Sequence, residues 1–366
     1  MDLVLQQPDI NVSRWTGGPG IRARLLTRFF GRLHGYYPEK YIGATIIYKR
    51  TKPDGDVERI VVKHAQFRQD GDEIQSEEKV LRSLWGSEHN LRLIAIVDDR
   101  KHKGSRWDRP RHRTQDRRTL PWKLPVNQLA FKSIKKFRFF VTEYLSRGDG
   151  LELIARCQEK DIKISEPILW CFWLCLTRAC IGVAYPPSRK NRHPPEVWRE
   201  TLPITTGQKR SKITHGDIYL GNIMFGDYNS GNGGAQPACH HITPICEDSK
   251  EALQENLFRV ASVMQQLAKA ERDEALVYPD DLSAPVYEVE LDERGLFETM
   301  AEEEFSQSDD FSVDFRCTIA RCMATEPANR PTFEELLAIC ERNIALTQDW
   351  TPFRVEVNEL FETPAG

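Results

Sequence analysis

Residues 44–50 (ATIIYKR) and 57–64 (VERIVVKH) are short runs rich in β-branched residues, and they flank Lys52-Pro53-Asp54-Gly55. An Asp-Gly step between such runs is a strong hairpin signal, so the pattern predicts two antiparallel strands. Over 72–85, Ile74, Glu77, Leu81 and Leu84 fall at helical spacing, and residues 91–98 (LRLIAIVD) and 137–145 (FRFFVTEYL) return to strand character. The order strand, strand, helix, strand, strand describes a small sheet carrying one helix. From residue 150 the period lengthens. Helices are predicted over 150–158, 166–184 and 251–270, the last with Leu253, Leu257, Val260, Ala261, Met264, Leu267 and Ala268 on one core-facing stripe. Further helices are expected over 292–305, 311–324 and 332–346, the last opened by Thr332-Phe333-Glu334-Glu335 as a capping box. The fold class is therefore α+β, with a small antiparallel sheet first and a larger, mainly helical part after it.

Three segments interrupt this pattern. Residues 186–213 and 226–243 are rich in Pro, Gly, Asn and charge and read as surface loops. Between the third and fourth strands, residues 100–118 carry nine Lys or Arg against two Asp and no periodic apolar face. This basic insertion, extended to 100–135 when its flanks are included, reads either as a solvated loop or as a nuclear-targeting or polyanion-binding patch. The longest apolar run, Ile168 to Tyr185, contains Arg178 and opens with Ser165-Glu166-Pro167, like an ordinary helix start. It reads as a core helix rather than a membrane span.

Composition narrows the classes. A chain of 366 residues holds one two-lobed domain or two average ones. With 51 basic and 54 acidic residues there is no global charge to attract nucleic acid or membrane, so such a partner would have to use a local patch. None of the nine cysteines forms a CxxC pair, and Cys171, Cys175, Cys317 and Cys322 lie in apolar helical stretches where a thiol packs. Residues 1–14 lack the apolar core of a secretory signal. These features point to an intracellular protein, cytoplasmic or nuclear, in a reducing compartment. Cys239-His240-His241 has no second ligand pair at a recognisable spacing and reads as a loop rather than a metal site.

Chemistry concentrates in one loop. Asp217 precedes Asn222 by five residues, just ahead of the strand-like Ile223-Met224-Phe225. A carboxylate and an amide oxygen on one turn suit a base and a Mg²⁺ ligand for phosphoryl transfer, which needs clamped phosphates, held metal and a positioned carboxylate. His215-Gly216-Asp217-Ile218 with Asn222 resembles the catalytic loop of protein kinases, in the His-Gly-Asp variant seen in many fungal and small-molecule kinases. The resemblance runs over residues 40–345. Ile60-Val61-Val62-Lys63 resembles the strand whose lysine meets the α- and β-phosphates, with Glu77 in the place of its ion-pair partner. Thr142-Glu143-Tyr144-Leu145 resembles the gatekeeper and hinge, where the backbone at Glu143 and Leu145 would meet adenine. Leu169-Trp170 to Tyr185-Pro186-Pro187 resembles fungal kinase-like proteins. Arg321-Cys322-Met323-Ala324, with Pro327, Arg330 and Pro331, resembles the closing subdomain, where the arginine is structural.

The resemblance implies a bilobal fold. Its parts would be an extension over 1–39, an N-lobe over 40–145, a C-lobe over 146–347 and a tail over 348–366. It also implies ATP and Mg²⁺ as cofactors and transfer to protein Ser or Thr hydroxyls, with Asp217, Asn222 and Lys63 as the catalytic set.

Several features depart from the family. There is no Asp-Phe-Gly; Asp248, after the strand-like residues 241–246, is either the second metal ligand beside Asn222 or a helix N-cap. Tyr41-Ile42-Gly43-Ala44-Thr45 has one glycine where the family has three, and Gly17-Gly18-Pro19-Gly20 reads as an upstream turn. Tyr219 stands where a phosphate-binding lysine is common, Gly216 replaces an arginine, and Ala-Pro-Glu is missing. These gaps leave three readings. The chain is an active Ser/Thr kinase-like enzyme, of which this sequence lacks an exon or keeps a reduced set; a pseudokinase that binds a partner; or a small-molecule kinase of the aminoglycoside type, against which Arg330-Pro331 speaks.

Overall fold

The computed structural model describes residues 18–65, 71–96, 138–186, 199–203, 208–211, 213, 215–226, 237–239, 250–271, 285–290 and 295–361. Asp248 and the basic stretch 100–118 lie outside the described residues. The chain divides into two compact units, the first formed by residues 1–78 and 93–144 and the second by residues 79–92 and 145–366.

The first unit is built on a five-stranded antiparallel sheet: β1 (Tyr37–Ile42), β2 (Thr45–Thr51), β3 (Val57–His64), β4 (Leu93–Ile96) and β5 (Phe139–Glu143), in the spatial order β1-β2-β3-β5-β4. The β2–β3 hairpin turns at the Asp-Gly step. Gly55 takes φ +90°, its N–H donates to the Lys52 carbonyl at 2.9 Å, and the Asp56 N–H donates to Asp54 Oδ1 at 3.1 Å. Side chains alternate across the sheet. Ile46 and Tyr48, Ile60 and Val62, and Phe139 and Val141 fill one face and pack with Ala23, Leu26, Phe29 and Phe30.

Those last four belong to α1 (Gly18–His34), a helix in a stretch from which only a turn is expected. The turn expected at 17–20 is thus corrected over its described residues 18–20: Pro19 and Gly20 lie in the first helical turn, where a missing N–H costs nothing. The sheet carries two helices rather than one, because Leu26, Phe29 and Phe30 at spacings of three and four cover its apolar face. α2 (Gly71–Ser83) supplies the other, with Ile74 and Glu77 buried on one side.

The second unit is helical, around α4 (Glu166–Ala184), which packs against α5 (Lys250–Lys269) and α8 (Phe333–Leu346). Among the described residues α4 is the one helix long and apolar enough to cross a membrane, and most of it is buried in this core. Trp170 and Trp173 stack at 5.3 Å, and Phe315 of α7 (Val313–Cys322) meets both edge-on at 5.0 and 5.4 Å. Arg178, the charge inside the apolar run, reaches Glu341 at 3.0 Å. Thr332 and Glu335 form the expected capping box at the start of α8.

Two further expectations change. Residues 292–305 do not form one helix: Tyr287–Glu290 (β8) and Leu296–Thr299 (β9) pair as a hairpin, followed by the short α6 (Glu303–Gln307). The period there is two. Tyr287 and Val289 lie opposite Thr299 and Phe297 on the less exposed face, while Glu288, Glu290, Leu296 and Glu298 point outward. The stretch 348–366 is more than a tail, because Thr351–Phe361 form α9, whose Val357, Leu360 and Phe361 join the core. Its last carbonyls are satisfied by arginines: Arg156 Nε donates to Leu360 O at 3.1 Å and Arg147 donates to Phe361 O at 3.0 Å.

Candidate functional site

In the first unit the strand alternation that buries Val62 on the α1 face puts Lys63 on the opposite one, between Thr45 of β2 and Phe140 of β5 in register. There its ammonium meets Glu77 of α2, at 2.7 Å to Oε2 and 3.0 Å to Oε1. Both side chains are mostly shielded, with 22% and 11% of their surface exposed, so this pair is screened less than a surface one. Thr142 is buried, and Glu143 continues β5 opposite Ile60.

The β1–β2 connection is tight. Ile42 pairs with Thr45, which leaves Gly43-Ala44 as a two-residue turn with Gly43 at φ +52°. The Ala44 carbonyl accepts from the His64 N–H at 2.9 Å. One positive-φ residue explains one glycine. A turn this short offers few backbone N–H groups to a phosphate.

In the second unit residues 215–222 form a turn closed on itself. Ile218 and Leu220 anchor it in the helical core, and His215 is buried. The Asp217 N–H points at His215 Nδ1 from 3.4 Å, and the Asn222 N–H donates to Tyr219 O at 2.9 Å. Asn222 Nδ2 donates both to the Asp217 carbonyl and to Asp217 Oδ2, each at 2.9 Å. With the amide nitrogen turned to Asp217, the amide oxygen is the hard-ligand end of the side chain. Asp217 itself is only half-buried, so its carboxylate keeps access to solvent.

The turn is held by α3 (Gly150–Lys160) and by β6 (Ile223–Phe225). β6 pairs with β7 (Pro237–Cys239) on one side and bridges from Met224 to Asp149 on the other. Phe225 N donates to Gly148 O at 2.9 Å, and Arg147 N to Phe225 O at 3.0 Å. Asp149 caps α3 through the Glu152 N–H at 2.9 Å. Gly150 touches the turn: a Cβ there would stand 2.7 Å from the Leu220 carbonyl oxygen. Leu145 lies just upstream, its Cδ2 3.0 Å from where a Cβ on Gly226 would be.

Tyr219 and Asp149 carry no role in the sequence reading, yet they belong to this neighbourhood. The Tyr219 ring lies over Gly221, where a Cβ would come within 2.6 Å of Cε2. Burial, then the charges of Asp217 and Asp149, push the Tyr219 phenol up, so it stays protonated and can donate. An Asp-Gly pair at a predicted helix start is the signal that would have flagged Asp149 as a cap and Gly150 as a close approach.

Arg330 is structural. Its Nε donates to Ala324 O at 2.8 Å, a terminal nitrogen donates to Gln254 O of α5 at 3.0 Å, and the guanidinium sits 5.1 Å from the Phe258 ring centre. Burial lowers its pKa, the expected sign for a cation taken out of water.

The residues proposed for phosphoryl transfer are thus brought together as two pairs, Lys63 with Glu77 in the first unit and Asp217 with Asn222 in the second. The sequence matches no protein-family model and no curated protein.

Proposed function

We propose that the chain is a protein-kinase-like phosphotransferase that binds ATP and Mg²⁺ and transfers phosphate to Ser or Thr hydroxyls of a protein. Two hydrogen-bonded pairs support the reading, and the observation that carries it is the shielded Lys63–Glu77 contact at 2.7 Å. A lysine held at the centre of an antiparallel sheet by a helix carboxylate is positioned to neutralise phosphate charge. Asp217, half-exposed and bonded to Asn222, suits a base that orients an incoming hydroxyl, and the Asn222 oxygen suits one Mg²⁺ site. Asp248 is the proposed second ligand. ATP would take its adenine to the backbone at Glu143 and Leu145.

One observation favours a second reading, a binding module without turnover: the two-residue β1–β2 turn at Gly43-Ala44 leaves no long loop to cover the phosphates. The two separate in one experiment. Thermal unfolding of the full chain with ATP, with and without Mg²⁺, tests binding, because a ligand selective for the native state at a hundredfold its Kd stabilises by about 2.7 kcal/mol. Phosphate transfer is then compared between the parent and Asp217→Ala. The phosphotransferase reading expects a Mg²⁺-dependent shift and loss of transfer in the variant. Turnover that survives Asp217→Ala overturns it, and a nucleotide shift with no turnover in the parent selects the binding module.

A further inference from the structure

A second polar node lies inside the helical unit, away from the turn at 215–222 in sequence and assigned no role so far. Ser87, Glu88, His89 and Asn90 follow α2, and Glu200 joins them from 110 to 113 residues further along the chain. Glu200 Oε2 faces His89 Nδ1 at 2.6 Å, Glu200 Oε1 accepts the His89 backbone N–H at 2.9 Å, and the Ser87 hydroxyl also donates to Oε1. The side chains of His89 and Glu200 are 3% and 0% exposed, and that of Glu88 is 10% exposed. One nitrogen and two carboxylate oxygens, contributed by Glu88, His89 and Glu200, lie within 4.8 Å of one another.

We propose that Glu88, His89 and Glu200 form a binding site for a zinc-class divalent cation, independent of the phosphotransferase reading. The donor set decides the class. An imidazole with two carboxylates suits Zn²⁺, Co²⁺ or Mn²⁺, whereas Mg²⁺ and Ca²⁺ prefer oxygen alone. Ligand atoms around such an ion, at about 2.0–2.2 Å from it, stand about 3–4 Å apart, so the observed separations need only a small closure. In the metal-free form the hydrogen between Nδ1 and Oε2 holds the place of the ion. Binding exchanges it: the Nδ1–H bond breaks, the ring takes up a proton at Nε2 in its place, and the freed Nδ1 lone pair forms the coordinate bond to the metal, so the imidazole stays neutral and no net proton is released.

The outer contacts are those that a ligating carboxylate needs. Glu200 is aligned by Ser87 and by the His89 N–H, and Ser87 is in turn held by Asn90 Nδ2 at 2.9 Å. Gly182 of α4 makes the room, since a Cβ there would stand 2.8 Å from Glu200 Cγ. A second observation in the node points to something more than a hydrogen-bonded clamp. Asn90 Nδ2 also donates to Ala179 O at 3.2 Å, but Asn90 Oδ1 is buried and accepts no hydrogen bond. An ion that keeps one water brings both positive charge and a donor into a place that has two carboxylates and an unsatisfied oxygen. The guanidinium of Arg199, 3.1 Å from Glu88 and 55% exposed, stands at the rim.

The full chain, stripped with chelator and without nucleotide, is titrated with ZnCl₂ by calorimetry, with MgCl₂ as the comparison, and the same is done for Glu88→Gln and His89→Gln. One Zn²⁺ per chain is expected, with a rise in unfolding temperature, no response to Mg²⁺, and a loss of affinity of about 10- to 100-fold or more in each variant. Because His89 is buried and its variant risks misfolding, Co²⁺ absorption of the unaltered chain gives a separate reading. Visible bands of a low-coordinate site, abolished by one equivalent of Zn²⁺ and missing from Glu88→Gln, support the site. Zn²⁺ uptake unchanged in Glu88→Gln, or no stoichiometric uptake by the parent, overturns it and leaves the node an ion-paired clamp.

Discussion

Replacing Gly150 by alanine tests how the turn 215–222 is held, because this glycine is where α3 closes on it. The added Cβ would stand 2.7 Å from Leu220 O, 2.9 Å from Leu220 Cδ2 and 3.1 Å from Leu220 Cα. The carbonyl contact is about 0.7 Å short of ordinary van der Waals distance, and its atom belongs to backbone that cannot rotate away. Overpacking of this kind costs about 1–3 kcal/mol. Against it runs the helix preference of alanine over glycine, about 1 kcal/mol in a helix interior and less at the first helical residue, where Gly150 sits. The net expectation is a local destabilisation of about 1–2 kcal/mol. Amide hydrogen exchange reads it directly, since about 1.4 kcal/mol is a tenfold change in an opening equilibrium. The probes are the Asn222 N–H, bonded to Tyr219 O, and the Phe225 N–H, bonded to Gly148 O. Both should exchange about tenfold faster. Gly221→Ala is the control: its Cβ meets the ring of Tyr219, whose side chain can swing away, so protection at Phe225 should hold. If Gly150→Ala leaves both amides protected while Gly221→Ala exposes them, the turn is not held by α3 and the reasoning fails.

Three other outcomes follow from single contacts. Arg330→Met removes three hydrogen bonds from a buried cation and leaves the carbonyls of Ala324, Gln254 and Thr325 without that donor, so it should cost about 3 kcal/mol in denaturant unfolding; a loss under about 1 kcal/mol would show the cluster to be dispensable. Thr332→Ala breaks the capping box of α8 and should cost about 1 kcal/mol, with Thr332→Asp nearly neutral by thermal melting. His64 is held below its ordinary value, first by burial and then by the Arg22 charge, so the unfolded chain binds its proton more readily than the native one. Its contribution to stability is therefore complete above a pH of about 6.5 and is lost as pH falls toward the native value. His64→Gln should flatten the fall of the stability profile as pH drops below about 6.5; an unchanged slope would assign it to other groups.

What the chain discloses in sequence is what is local. The Asp54-Gly55 hairpin, the Thr332–Glu335 capping box and the apolar α4 each rest on residues a few positions apart, and each appears where the pattern puts it. α1 escapes for a local reason too. Gly18-Pro19-Gly20 reads as a turn, although a proline at the start of a helix loses no hydrogen bond, and the spacing of Leu26, Phe29 and Phe30 is helical. In the β8–β9 hairpin, Glu288, Glu290 and Glu298 suit a helix by propensity. The alternation of Tyr287 with Val289 against Phe297 with Thr299 wins because it buries one face.

The site divides along the same line. Asp217 and Asn222 are legible because one turn joins them, and Lys63 with Glu77 only because a resemblance supplied their spacing. Glu200 shows the limit. Nothing near it in sequence explains a buried carboxylate, since Ser87, His89 and Asn90 lie more than a hundred residues away, and Gly182, which makes space for it, looks like a weak point in a helix. A carboxylate leaves water only where donors or cations already wait, so each buried acid implies partners that the fold must deliver. In this chain Glu77 receives Lys63, the lysine proposed to meet phosphate, and Glu200 receives an imidazole, a hydroxyl and a backbone N–H. Replacing Glu77 should therefore change nucleotide binding, whereas replacing Glu200 should change how the segment after α2 is fastened to α4.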